Sequence, residues 1–154
     1  MLKKLQIIPF NENYLQEVLE ILEENFENPW SDKLLKNKIP FLVQKLLLID
    51  EKVAGFAEFK IVEGEADLQI IALKKEYQNK GYGKLFLSKL INELKEKGIE
   101  YVYLEVSEKN LPALKLYEKL GFEKLEIREK YYKNGENAVV MKLKLHGEVY
   151  GNKR

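Results

Sequence analysis

The chain has 154 residues, 45% hydrophobic and 33% charged, a balance that fills one packed core and excludes a disordered chain. With 26 basic against 25 acidic residues the net charge is +1, so no global field steers it to nucleic acid or an anionic membrane, and any anion site must be local. Cysteine is absent and His146 is the only histidine, which excludes disulfides, thiolate nucleophiles, a Ser-His-Asp triad and a multi-histidine metal site. General acids and bases must therefore be Glu, Asp, Tyr, Lys or water.

Residues 2–10 alternate as a first strand, and Asn11 or Asn13 can cap a helix carrying Leu15, Val18, Leu19, Leu22 and Phe26 on one face. Pro29-Trp30-Ser31 breaks that helix, and Ser31 can cap a short second one through Lys36. Trp30 reads as a core anchor. Apolar runs at 41–49, 53–62 and 66–73, separated by Asp50-Glu51-Lys52 and Glu63-Gly64-Glu65, predict a three-strand meander.

A polar loop at 74–82 leads into a helix with Leu85, Leu87, Leu90, Ile91 and Leu94, closed by Gly98. The strand 100–106 puts Tyr101, Tyr103 and Glu105 on one face and Val102, Leu104 and Val106 on the other. A short helix over 111–120 has Pro112 in its first turn and Gly121 past its end. Strands at 122–131 and 137–145 flank Asn134-Gly135, a hairpin signal. The order is β-α-α-β-β-β-α-β-α-β-β, a mixed α/β domain over 1–145 with a polar, flexible tail at 146–154. The N-terminus lacks the apolar stretch of a signal peptide and no run approaches a membrane span, so the chain reads as cytoplasmic, with no membrane or nucleic-acid partner.

Gln78-Asn79-Lys80-Gly81-Tyr82-Gly83-Lys84 stands between a strand and an amphipathic helix. Glycines there let backbone approach a diphosphate, helix-start amides point at the anion with the macrodipole behind them, and Lys80 and Lys84 add charge. Neither a Rossmann loop nor a P-loop fits, since Phe86 stands where the former needs a third Gly and the latter needs Gly four positions earlier followed by Gly-Lys-Ser/Thr. An ordinary strand-to-helix turn with surface lysines is the other reading of these residues.

Gln78-x-x-Gly81-x-Gly83 is similar to the acetyl-coenzyme A pyrophosphate signature of the GNAT acetyltransferase superfamily. Ile71-Ala72-Leu73 resembles that family's cofactor-contacting strand, and Asn110 to Phe122 its later helix motif, so the likeness spans roughly 5–145. Within the superfamily the chain most resembles ribosomal-protein-alanine N-acetyltransferases and archaeal and eukaryotic N-terminal acetyltransferases. The segments that carry this are Asn28-Pro29-Trp30-Ser31, Leu104-Glu105-Val106 with Asn110, Leu116-Tyr117-Glu118, and Arg128-Glu129-Lys130-Tyr131-Tyr132 running through Asn134-Gly135-Glu136 to Met141. Ser107, where the bacterial enzymes carry Arg, and Lys75, where a Pro is common, depart from the pattern.

The resemblance implies a mostly antiparallel seven-stranded sheet flanked by about four helices, with strands 4 and 5 splayed to admit the cofactor. It implies acetyl transfer from acetyl-coenzyme A, without a metal, to a protein N-terminal amine, a ribosomal protein by analogy, by a monomer or weak dimer. Ile71, Ala72, Leu73, Gln78, Asn79, Lys80, Gly81, Tyr82, Gly83, Lys84 and Asn110 are then cofactor-binding, with a backbone N–H near Leu73 meeting the oxyanion. Asn110 can equally cap its helix.

Glu105 becomes the base, directly or through water, with partial burial raising its pKa, and Tyr117 the acid for the departing thiolate. Residue by residue, a solvated strand carboxylate and a core tyrosine remain the alternatives. Tyr131 and Tyr132 hold the substrate backbone in the relatives; on a continuing strand they face opposite sides, so at most one is core. Acetylation of a small amine or a protein lysine, and a non-catalytic coenzyme A sensor, are the competing functions.

Overall fold

The structure, a computed structural model, describes residues 2–26 and 41–145. The Asn28-Pro29-Trp30-Ser31 segment, the helix expected over 31–36 and the tail at 146–154 with His146 lie outside the described residues. Seven strands, β1 (Leu5–Pro9), β2 (Leu42–Ile49), β3 (Lys52–Val62), β4 (Glu65–Leu73), β5 (Tyr101–Ser107), β6 (Glu123–Arg128) and β7 (Ala138–Lys144), form one sheet in the order β1-β2-β3-β4-β5-β7-β6. The described helices are α1 (Leu15–Asn25), α2 (Tyr82–Glu96) and α3 (Leu111–Lys119). Short 3-10 turns at Glu12–Tyr14 and Lys75–Tyr77 precede α1 and α2.

The chain groups into two compact units, one of Met1–Lys60 with Gln69–Leu87, the other of Ile61–Leu68 with Ser88–Arg154. In the first, β1-β2-β3 is antiparallel. Asp50 and Glu51 turn between β2 and β3 with φ of 49° and 69°, the left-handed pair of a two-residue hairpin whose twist matches the strands. Asp50 also ties down the approach to β1, its amide donating to the Lys4 carbonyl at 2.8 Å and its Oδ1 accepting from the Lys4 amide at 2.8 Å.

Helix α1 forms because Leu15, Val18, Leu19 and Leu22 recur at helical spacing. Its face packs Val18, Ile21 and Leu22 on Leu46, Leu48, Val53, Phe56, Ile70 and Ala72. Each fully buried aliphatic or aromatic side chain there contributes about 1.5–3 kcal/mol of transfer free energy. Asn11 caps the 3-10 turn before it, accepting from the Asn13 amide at 2.9 Å. Phe26, expected on the helix face, is extended (φ −133°, ψ 143°) and 40% exposed, because the helix stops one residue earlier.

In the second unit β5-β7-β6 is antiparallel. The parallel ladder of β4 with β5 pairs Glu65 with Tyr101, Ala66 with Val102 and Asp67 with Tyr103, the first three residues of each strand, although β4 runs to Leu73 and β5 to Ser107. So short a ladder agrees with the parting expected of these strands. Val102, Leu104, Val106, Ala138, Val140, Met141 and Phe122 are buried in this unit.

One expected element differs. Strand β6 ends at Arg128, which pairs with Ala138, so residues 129–137 are a loop and not the continuation of two strands to Asn134-Gly135. Lys130 leaves the extended region with φ 49°, its amide donating to Asn137 Oδ1 at 2.8 Å. Asn134-Gly135 still makes a turn inside the loop: the Gly135 amide donates to the Tyr132 carbonyl at 2.9 Å and the Glu136 amide to Asn134 Oδ1 at 2.9 Å. Among the described residues no helix is long and apolar enough to cross a membrane.

Candidate functional site

The residues expected at the cofactor, 71–84, lie in the first unit as the end of β4, the 3-10 turn, a tight loop and the start of α2. Asn79 and Gly81 have φ of 61° and 90°, which reverses the chain so that Tyr82, Gly83 and Lys84 open the helix. The first amides of a helix have no partner within it, so this end presents N–H groups. The Gly81 φ suits glycine alone, and a Cβ built there meets nothing within 4 Å. Gly83 needs no such φ, and a Cβ there would meet only Leu73 Cδ1 at 3.8 Å. Glycine inside a helix costs about 1 kcal/mol relative to alanine, yet no internal crowding demands it at 83. Open backbone at both positions is what close approach by a diphosphate requires.

Gln78 serves the protein itself. Its Nε2 donates to the Leu73 carbonyl at 3.0 Å and to Asn25 Oδ1 at 3.3 Å, and Asn25 Nδ2 donates to the same carbonyl at 2.9 Å. The Lys75 amide donates to Glu24 Oε1 at 3.0 Å. The end of α1 thus pins the end of β4, and Asn25 and Glu24 are site-shaping residues that sequence reasoning missed. Nothing in the spacing of two polar residues 48 and 51 positions away marks them. Gly55 completes the arrangement: a Cβ there would stand 2.7 Å from Leu73 Cδ2, so Leu73 packs where only glycine leaves room. Lys80 and Lys84 are exposed.

The other expected residues gather in the second unit. Glu105 on β5 is exposed rather than partly buried; its charge is met by an ion pair, Arg128 Nη1 donating to Oε2, while the Tyr131 phenol donates to Oε1 at 3.0 Å. Arg128 Nε also donates to Glu126 Oε1 at 3.0 Å, and its guanidinium lies 5.7 Å from the Tyr131 ring centre. Bonding to Glu126 first, then the Glu105 charge, raises the Arg128 pKa above its ordinary value. Tyr131 and Tyr132 are stacked edge to face at 5.2 Å and 82°, one exposed and the other half-buried. Because the strand ends at Arg128, neither is a core residue.

Tyr117 on α3 is buried at 9% exposure and meets Phe122 edge-on at 5.7 Å. Burial, then the field of Tyr132, pushes its phenol pKa above the usual value. Tyr132 is raised in turn by burial, then by Glu105. Glu105, Tyr131 and Tyr132 are joined by direct contacts. Asn110 takes the capping role: its Oδ1 accepts from the Ala113 amide at 3.2 Å at the start of α3.

A seven-stranded sheet with this order and a glycine-opened helix start after β4 make a mixed α/β fold, and likeness to known proteins places that fold among the acyltransferases. Residues 13–122 match the model of the acetyltransferase (GNAT) family, and the chain belongs to that family. It is 44% identical over 131 residues to the ribosomal protein bS18-alanine N-acetyltransferase of Haemophilus influenzae, covering 82% of this chain and 89% of that protein. The enzyme of the same name from Salmonella typhimurium is 37% identical over 119 residues, covering 75% and 80%. The crystal structure of the ribosomal-protein-S18-alanine N-acetyltransferase from Escherichia coli matches with a TM-score of 0.85 at 34% identity, covering 94% of this chain and 97% of that one.

Proposed function

We propose that the chain transfers the acetyl group of acetyl-coenzyme A to the N-terminal α-amine of a protein, with residues 1–145 acting as one catalytic domain. The observation that carries this reading is the likeness, at 44% identity over 82% of this chain and 89% of the other, to an enzyme named ribosomal protein bS18-alanine N-acetyltransferase. By that analogy a ribosomal protein is the target.

Acetyl-coenzyme A supplies the thioester that is broken. The backbone of Gln78 to Lys84 would hold its pyrophosphate while the Gln78 side chain braces Leu73, and the open backbone at Gly81 and Gly83 fits that group. Backbone of Ile71, Ala72 and Leu73 would engage the pantetheine arm, with an amide near Leu73 meeting the charge on the carbonyl oxygen. The Leu73 carbonyl is already held by Asn25 and Gln78, so the orientation of this strand end is set in advance.

Glu105 takes the proton of the attacking amine. An α-amine titrates near about 8 and lysine near about 10.4, so an N-terminal acceptor asks far less of the base near neutrality. As the C–N bond forms and the C–S bond breaks, the Tyr117 phenol gives its proton to the departing sulfur. Burial keeps that phenol protonated across the neutral range, which is the state a donor needs. Tyr131 and Tyr132, in the loop next to Glu105, would hold the peptide backbone.

Release of coenzyme A can be followed with a thiol reagent, since the protein has no cysteine to react. Turnover is expected with a peptide whose N-terminus is free and not with the same peptide N-blocked. Equal turnover of a blocked peptide that retains a lysine would overturn the N-terminal assignment.

A further inference from the structure

We infer that Arg128 is a positioning residue for Glu105, aimed at it by the β-bulge in β6. The inference rests on the proposed role of Glu105 as the proton acceptor.

The argument begins with register. Glu105 on β5 pairs with Val140 on β7, and Val140 pairs on its other side with Glu126 on β6. Residues paired across neighbouring strands share a face, so Glu105 and Glu126 stand on one side of the sheet, two strands apart. Arg128, two residues on from Glu126 and paired with Ala138, shares that side. It is the residue that bridges them, with Nε on Glu126 and Nη1 on Glu105.

That placement depends on one extra residue. The β6–β7 ladder pairs Glu123 with Lys142 and Lys124 with Met141, then shifts so that Glu126, not Leu125, meets Val140. Without the shift Leu125 and Ile127 would pair with Val140 and Ala138, and Glu126 and Arg128 would face away from Glu105. A slip of one residue turns a strand over, and bulges re-aim side chains in this way. Leu125 and Ile127 are 56% and 57% exposed, so burial of these apolar residues does not set the register.

The consequence is chemical. A guanidinium fork is a strong, planar partner for carboxylates, and here it contacts two of them at once. Glu105 Oε2 is committed to Arg128, leaving Oε1, where the Tyr131 phenol donates, as the oxygen free to exchange its partner for the acceptor amine. Arg128 also lies against the Tyr131 ring, so it fixes both the base and the tyrosine beside it.

A double-mutant cycle on the full chain tests this, with coenzyme A release from acetyl-coenzyme A and a free N-terminal peptide as the readout. Arg128→Gln is expected to lower kcat about tenfold or more, with the KM for acetyl-coenzyme A within about twofold of the parent. Arg128→Lys should recover part of the loss, because a point charge can hold one carboxylate but not bridge two. In a Glu105→Gln background Arg128→Gln should add nothing, since residues that act through one another are non-additive. Should Arg128→Gln fail to fold, Glu126→Gln, which frees one arm of the fork, is expected to give a smaller loss that is likewise abolished in the Glu105→Gln background. Parent-like kcat in Arg128→Gln, or losses that multiply, beside an impaired Glu105→Gln would overturn the inference and leave the proposed function standing. Parent-like kcat in Glu105→Gln would instead remove the proposed base, and this inference with it.

Discussion

Gly83 faces Leu73 across ordinary van der Waals space: a Cβ at position 83 would lie 3.8 Å from Leu73 Cδ1. The protein therefore has room for alanine there, and helix propensity favours alanine by at most about 1 kcal/mol, the value for a helix interior. Gly83→Ala is expected to melt at or slightly above the parent temperature while binding coenzyme A more weakly, since the added methyl would stand where the proposed function brings the pyrophosphate. Calorimetric titration and a thermal melt on the same sample check both halves. Parent-like affinity would show that the backbone at 83 does not contact the cofactor.

Tyr117→Phe should lower kcat with coenzyme A affinity nearly intact, because the ring contact with Phe122 survives and only the hydroxyl, with its transferable proton, is lost. In the parent the phenol pKa is raised above its ordinary value near about 10, so deprotonation of this group cannot reduce the rate between pH 7 and about 10. A descending limb within that window that vanishes in Tyr117→Phe would contradict the assignment, as would an unchanged kcat when chemistry is limiting.

Asn25 holds Leu73 from the end of α1, donating to the Ile21 carbonyl at 2.8 Å as well. Asn25→Ala removes these two bonds and the one Asn25 accepts from Gln78 Nε2, all from an exposed residue, for a loss of about 1 kcal/mol in stability. The larger expected effect is a rise in the KM for acetyl-coenzyme A, because the end of β4 is freed. A variant that melts lower with an unchanged KM would make Asn25 a purely structural residue.

Glu58 is 3% exposed and accepts from Gln44 Nε2 at 2.8 Å. Burial raises its pKa, with the Gln44 bond opposing more weakly. A raised carboxyl pKa contributes stability below the unfolded value near about 4.5, and that contribution is lost as pH rises through the folded value. Ionising this buried carboxyl as pH rises therefore costs stability. Relative to the parent, Glu58→Gln is expected to be more stable at pH 7 than at pH 4. Each kcal/mol gained appears as about 2–4 °C in Tm for a chain of this size. A difference independent of pH would contradict this.

The apolar runs at 41–49, 53–62 and 66–73 announced three strands because the later half of β2 and most of β3 are buried and β4 buries alternate residues, while helical spacing announced α1 and α2 by their buried faces. The glycine loop was legible because Gly81, with its φ of 90°, and Gly83 stand two residues apart in the chain, a spacing that sequence neighbours alone make visible. The region after β6 was not. Asn134-Gly135 is a genuine turn, but the strands it should join had already ended at Arg128, where Lys130 takes a positive φ held by the distant side chain of Asn137. All six residues of β6 are exposed, so no pattern of burial marks its end or its bulge. Glu105 was expected to owe its setting to burial, whereas its partner is an arginine 23 residues away that only the sheet register brings to it.

The most direct test of the account is the position of the acetyl group. The chain, acetyl-coenzyme A and a peptide carrying both a free N-terminal alanine and an internal lysine would be incubated and the product sequenced by mass spectrometry. Label on the α-amine alone is the expected result; label on the lysine alone, or no label with active cofactor, would contradict the account.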